Sequence, residues 1–378
     1  MANKLRIVPR DPHRLVDEPD FQMMFEGFAC NVPKGSPATP DILTPDIFVR
    51  RAFEQFDLLM PDGNIVEFWG FVDPLGPNAF LGAFPSDMIR IREGQLFHGR
   101  LEDLQKGTHT IHWHGMEPTP MNDGVGKLSF EVNGQYTYQW YASAAGTYFY
   151  HCHHNTVLHF ELGMYGMLII DPPKPDGAPG PNPPYPTGGP GFIRRTNDII
   201  PYDKEAIWVT DDVDPLWHMH GHDAGFCEVG QSFGPDVGLN NFNPVYFLIT
   251  GVPSPWCANL PTDPTHPGVA VTVGVGQTLL VRLLCAGYTV HRYTIEDLDA
   301  EVIAMDGRVM GDSSFNQYSQ PFILPANQPF ELTAARRFDL IISPTASDIG
   351  SHRVLVDVFD ADKKDKKLGT METFIHVV

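Results

Sequence analysis

Two stretches of the chain, MIRIREGQLFHGRL at 88–101 and VAVTVGVGQTLLVRLL at 269–284, read as one unit used twice. Each alternates apolar and other residues about a Gly-Gln turn, as paired strands do. The duplication predicts two copies of one β-rich framework. PPKPDGAPGPNPPYPTGGPG at 172–191 is nearly all proline and glycine, a composition unfit for helix or central strand, and is expected to connect the copies. With 378 residues, each copy is large enough to bury its own core. Thirty-five glycines, thirty-five prolines and only 19% charged residues leave little room for long helices, so the expected fold is all-β. The expected division is an irregular arm at 1–45, a first domain at 46–171, a linker at 172–194 and a second domain at 195–378. No chemistry is read in the arm, although it holds His13 and Cys30.

The repeat supplies a register. Gly94 lies fifteen residues before His109, and Gly276 lies fifteen before His291, which makes His291 the positional twin of His109. Carried forward, His112 and His114 fall opposite Thr294 and Glu296, and GTYFYHCH at 146–153 falls opposite GSHRVLVD at 350–357. The second copy keeps the framework and loses most of the histidines.

A formal charge of -20 argues against nucleic acid or an anionic membrane surface as a partner. No apolar run is long enough to cross a bilayer, and MANKLRIVPRDPHR has no apolar core of the secretion-signal kind, so a soluble protein is expected. Five cysteines, Cys30, Cys152, Cys227, Cys257 and Cys285, form an odd set without zinc-like pairing, so at least one is unpaired.

Seven of the sixteen histidines lie between 109 and 159, with Cys152 among them. That density points to metal. In HTIHWHG at 109–115, strand alternation turns His112 and His114 to one face and His109 to the other. In YHCHH at 150–154 it turns His151 and His153 one way and Cys152 the other. Two sites joined through one strand are implied: Cys152 with His109, and the paired histidines together. A thiolate, two imidazoles and a weak thioether are the donors of a blue copper centre. His159 and Met164 supply the missing imidazole and thioether, with Met167 as a competing thioether. Zinc accepts the same donors, but the single cysteine, the thioether and the second histidine set favour copper.

HTIHWHG, the NDG at 122–124, GTYFYHCHHNTVLHFELGM and the trailing LIIDPP resemble the multicopper oxidases, including laccases and their two-domain relatives, and more distantly the copper nitrite reductases. The resemblance implies two tandem cupredoxin-like Greek-key sandwiches. It also implies a type 1 copper at His109, Cys152, His159 and Met164, and half of a type 2/type 3 copper cluster at His112, His114, His151 and His153. Asp123 is similar to the acid that relays protons to oxygen in this family; a turn aspartate before glycine is the alternative.

The second copy departs from the pattern, with Thr294, Glu296, Leu355 and Asp357 at the equivalent positions. HRYTIEDLDAEVIAMDG at 291–307 and RRFDLIIS at 336–343 look like the copper-free middle domain of three-domain laccases. Further candidate ligands are His291 and the His218, His220 and His222 of WHMHGHD, which would share a face on a strand. The expected activity is oxidation of a small-molecule or metal-ion reductant with reduction of dioxygen to water, by a homo-oligomer, as a trimer, in the periplasm or outside the cell. A nitrite reductase-like two-copper enzyme and a blue-copper electron carrier are the alternatives.

Overall fold

The computed structural model describes residues 44–79, 81–103, 109–125, 132, 134–176, 185–220, 242–311, 319–363 and 365–378. His13, Cys30, His222 and Cys227 lie outside the described residues. The chain runs through β1 (Ile47–Leu59), β2 (Ile65–Val72), β3 (Ser86–Arg92), β4 (Leu96–Asp103), β5 (His112–His114), β6 (Gly134–Tyr141), β7 (Gly146–His151), α1 (Thr156–Glu161) and β8 (Tyr165–Asp171). The hairpin of β9 (Gly191–Arg195) and β10 (Asp198–Tyr202) follows, with β9 starting inside the stretch expected to be irregular. Then come β11 (Lys204–Val213), α2 (Pro215–His220), β12 (Tyr246–Ile249), β13 (Val252–Pro253), β14 (Val271–Val273), β15 (Leu279–Cys285), β16 (Val290–Ile295) and β17 (Ala300–Met305). The last strands are β18 (Arg308–Val309), β19 (Phe322–Leu324), β20 (Phe330–Leu332), β21 (Arg337–Ile342), β22 (Gly350–Phe359) and β23 (Lys367–Val377).

Each half builds two sheets in the same order. In the first half these are β2-β1-β4-β6 and β3-β8-β7-β5; in the second, β13-β12-β11-β15-β21-β17-β18 and β14-β23-β22-β16-β20. The parallel pairs also repeat, β1 with β4 as β11 with β15, and β3 with β8 as β14 with β23. Register follows suit: His112 pairs with His151 in the first half, and their sequence twins Thr294 and Leu355 pair in the second.

The Gly-Gln units work differently from the sequence expectation. The strands on either side do not pair with each other; β3 and β4 lie in different sheets, as do β14 and β15. The turn carries the chain from one layer of a sandwich to the other. Both glycines take the left-handed conformation, Gly94 at φ 85° and Gly276 at φ 78°. Both glutamines then accept a backbone N–H three residues or so earlier, Gln95 from Arg92 at 2.8 Å and Gln277 from Gly274 at 2.7 Å. The alternation is real, because each strand has one face on a core, but that pattern cannot distinguish a hairpin from a crossing.

WHMH at 217–220 is also corrected: it lies in α2, opened by Pro215, not on a strand. Proline is well suited to a first helical position because its missing N–H is not needed there.

The halves are joined by apolar packing and by a buried charge network. Phe149, Phe160, Tyr165 and Met167 pack with Val209, Leu284 and Ala286. Beside them Arg90 binds Asp171 through Nε and Nη2, each at 2.8 Å, and Glu205 through Nη1 at 2.7 Å. Arg282, wholly buried, donates to Glu205 and to Thr147 Oγ1, each at 2.8 Å, and Thr147 in turn donates to Asp339 at 2.5 Å. Among the described residues no helix is long and apolar enough to cross a membrane.

Removing one member of such a network leaves buried charge without compensation. Arg282→Met is expected to lower the free energy of unfolding by about 3–5 kcal/mol, read from urea denaturation. A loss below about 1 kcal/mol would mean that the network contributes no more than a surface pair.

Candidate metal centre

Trp113 sets the orientation of β5. Its ring is fully buried, 5.2 Å from Phe97 and 5.3 Å from Trp140, both edge-on. A Cβ on Gly99 would come within 2.7 Å of that indole, so the glycine makes room for it. With Trp113 locked in the core, strand alternation turns the flanking His112 and His114 to the opposite face.

The first donor group lies on the core side. Cys152 Sγ is 3.3 Å from His159 Nδ1 and 3.7 Å from His109 Nδ1, and all three residues are buried. Their donor atoms lie within 4.8 Å of one another. His109 stacks on Phe53 at 4.5 Å, and Trp69 meets His159 edge-on at 5.3 Å, so the imidazoles are braced by aromatic neighbours. α1 carries His159, and the chain after it returns so that Cys152 N–H donates to the Met164 carbonyl at 3.0 Å. Met164 is fully buried in the same core cluster as Cys152, whereas Met167 packs in a different cluster with Phe149 and Tyr165.

The second group, His112, His114 and His151, lies on the other face, again with donor atoms within 4.8 Å of one another. His112 Nδ1 donates to the Asp123 carbonyl at 2.8 Å, and His151 Nδ1 donates to the Cys152 carbonyl at 2.8 Å. A carbonyl only accepts, so these bonds put the hydrogen on Nδ1 and leave a lone pair on Nε2 of each ring. His151 Nε2 faces His114 Nδ1 at 3.2 Å. His153 stands close by, its ring centre 5.3 Å from that of His112, and its N–H donates to Thr110 Oγ1 at 2.9 Å.

Electrostatics favour neutral imidazoles. Burial, with the Arg337 charge adding to it, lowers His114 from 6.5 to about 3. Burial, with His112 nearby, holds His151 well below its ordinary value, and burial lowers His153. Neutral imidazole is the metal-binding form.

The NDG segment braces this face. Asn122 accepts the Gln139 N–H at 2.8 Å, and Gly124, at φ 65°, passes so near that a Cβ would fall 1.8 Å from the Ile111 carbonyl oxygen. Asp123 Oδ1 lies 3.2 Å from His112 Nδ1.

Two other candidate ligands, His291 and His218, are bonded apart from both groups. His291 is fully buried in the second half, bonded to Thr210 Oγ1 at 2.8 Å and Asp212 Oδ2 at 3.0 Å. His218 is buried with Nδ1 donating to the Glu67 carbonyl at 2.5 Å and Nε2 3.6 Å from Glu161 Oε1. His220 closes α2. The described cysteines, Cys152, Cys257 and Cys285, are all buried, and no disulfide joins them. Sequence reasoning missed Arg337, which lines the same cavity as His114 from β21; only its place in RRFDLIIS marked it, and nothing there signalled a charge acting on His114.

Residues 78–175, which carry both groups, match the family model for multicopper oxidases. This segment is a multicopper oxidase domain. The multicopper oxidase match extends to individual relatives: the chain is 36% identical over 101 residues to copper resistance protein A of Pseudomonas syringae pv. tomato, covering 26% of this chain and 16% of that protein. It is 36% identical over 163 residues to L-ascorbate oxidase of Cucumis sativus, covering 41% of this chain and 22% of that protein. The chain thus spans less than a quarter of the length of these relatives. The blue copper oxidase of Nitrosomonas europaea superposes with a TM-score of 0.59 at 20% identity, over 87% of this chain and 85% of that one. The shared architecture is the cupredoxin fold of the multicopper oxidases, and the two His/Cys groups fit copper sites.

The depressed His114 gives a pH signature in metal-free protein. Between about 3 and 6.5 the unfolded chain binds more protons at this residue than the folded one, so stability falls as pH falls through that window. From pH 7 to pH 5 this one group is expected to remove up to about 2 kcal/mol. His114→Gln should lose correspondingly less over the same interval in urea denaturation; an equal loss would mean that His114 titrates normally.

Proposed function

We propose that the chain is a laccase-like copper oxidase, taking single electrons from a small reductant at one donor group and reducing dioxygen to water at the other. The observation that carries this reading is the placement of Cys152 in the first group with its sequence neighbour His151 in the second. One peptide bond joins the two sites. Copper bound at both groups supplies one-electron transfer and the reduction of oxygen.

The residues have distinct parts in this reading. His109, Cys152, His159 and Met164 hold the type 1 copper in a dry, aromatic-walled core. His112, His114, His151 and His153 hold the chain's share of a type 2/type 3 cluster, with Nε2 of His112 and His151 aimed by their carbonyl partners. Asp123 orients His112 and delivers protons to oxygen. His218, His220, His222 and His291 are left outside this assignment, because the two that are described in full are bonded elsewhere.

Half a cluster needs a second surface. His112, His114 and His153 are only part-buried, which leaves the histidine face accessible to another copy, and we propose a homotrimer in the periplasm or outside the cell.

Copper-loaded, desalted protein tests this. About four coppers per chain are expected for a type 1 centre with a complete cluster; about two would favour a nitrite reductase-like enzyme, and about one an electron carrier. Cys152→Ser should abolish the blue thiolate absorption, while His112→Ala should keep it and stop oxygen consumption with a one-electron reductant. Blue colour in the first variant, or full turnover in the second, would overturn the assignments. Asp123→Asn should slow oxygen reduction with copper retained; an unchanged rate would return Asp123 to the role of a turn residue.

A further inference from the structure

Helix α1 carries His159 and has only six residues, Thr156–Glu161. A helix shorter than about 12 residues does not hold itself together in water. Its start adds little: Asn155 stands at the N-cap with φ 44° and makes no side-chain capping bond. The position of His159 beside Cys152 therefore depends on what packs against α1. One side belongs to the first half, where Leu158 and Leu162 enter the core cluster of Cys152 and Met164, and the Leu162 carbonyl accepts the Trp69 N–H at 2.7 Å.

The second half supplies the other side. Tyr288 Oη donates to the Val157 carbonyl at 2.6 Å, and the Asp214 N–H donates to Glu161 Oε1 at 2.8 Å. These bonds bracket His159, two residues before it and two residues after it. Between them Phe160 packs with Val209, Leu284 and Ala286, and its ring lies 5.9 Å from that of Tyr288. Tyr288 is itself held. Its N–H donates to Asp212 Oδ1 at 3.0 Å, the Thr289 N–H donates to Asp212 Oδ2 at 3.1 Å, and His291 Nε2 lies 3.0 Å from that same oxygen. A Cβ on Gly287 would fall 2.5 Å from Asp212 Oδ2 and 2.6 Å from His291 Nε2, so the glycine leaves room for this bracing. Burial, with Glu161 and Asp211 nearby, holds the Tyr288 phenol well above its ordinary value and keeps it a donor.

We propose that Tyr288 is a positioning residue for His159: the half that lacks the copper donors clamps α1 through the Tyr288 hydroxyl and ring, and so holds the His159 imidazole at its 3.3 Å approach to Cys152 Sγ. The proposal rests on the oxidase reading of His159 as a type 1 copper ligand. Contacts behind a metal ligand fix its orientation and so tune the metal it holds. The clamp also gives a use to His291, the positional twin of His109, which braces Asp212 against the segment that carries Tyr288.

Two measurements on the full-length protein test it. In metal-free protein, amide hydrogen exchange at His159, Leu162 and Met164 should quicken about tenfold in Tyr288→Ala, while strand β22 of the second half keeps its rates. Tyr288→Phe restores the ring without the hydroxyl and should recover part of that protection. If Tyr288→Ala fails to fold, Tyr288→Phe carries the test, with an expected change of about threefold. In copper-loaded protein the same variants should shift the blue thiolate absorption and alter the copper(II) EPR splitting, which a residue that only adds stability leaves alone. Exchange unchanged at His159, or quickened equally in β22, overturns the proposal, as does a blue band identical to the parent's. A parent protein that binds copper without a blue band would instead count against the oxidase reading, and the exchange rates of metal-free protein would still decide whether Tyr288 holds α1.

Discussion

The site depends on the two-residue period of a β-strand. At β5 the period turns Trp113 inward and its two neighbours outward. At the end of β7 it sends Cys152 toward His109 and His159, and His151 toward His112 and His114. A one-residue slip in either strand would exchange the faces and dissolve both groups at once. The aromatic packing around Trp113 resists that slip, because no outward-facing histidine could fill the space the indole occupies between Phe97 and Trp140. Hydrophobic burial thus determines where the polar donors stand.

The second half shows what the same framework does without donors. Thr294 and Leu355 occupy the paired positions of His112 and His151, and the strands keep their register. His291 keeps its place from the repeat but is bonded to Thr210 and Asp212, a closed arrangement in which the ring ties β16 to β11. The half contributes instead through its contacts. Glu205, Arg282 and Asp339 lock it to Arg90, Asp171 and Thr147, and that lock holds β21 where Arg337 can reach the back of Phe149. An exchange of charges at one end of the interface therefore bears on the electrostatics of His114 at the other.

Much of this was legible in the sequence. The histidine pairs, the split between Cys152 and its neighbours, and the register between the halves all follow from spacing along a strand, and spacing is local information. The Gly-Gln turns and WHMH show where it fails. Alternation reports only that a strand has one face on a core, so it could not tell that β3 and β4 belong to different layers. At α2 the chain is helical despite the alternating histidines, and Pro215, with its φ pre-organised for a first helical position, suits the start of that helix. Arg337 was out of reach for another reason: its role comes from the docking of two halves, and no pattern within either half encodes that.

That docking also brings a buried guanidinium near a candidate metal ligand, His114, in a strongly acidic chain. Field lines in a cavity are set by the nearest charges and the low-dielectric walls, not by the net charge of the whole molecule, most of which lies beyond a screening length of about 8 Å. Arg337 is buried and permanently charged, so its field at His114 is little reduced by solvent. It opposes protonation of the imidazole and so keeps a lone pair in place. Burial and a fixed positive charge behind the ring of Phe149 therefore both favour a neutral histidine.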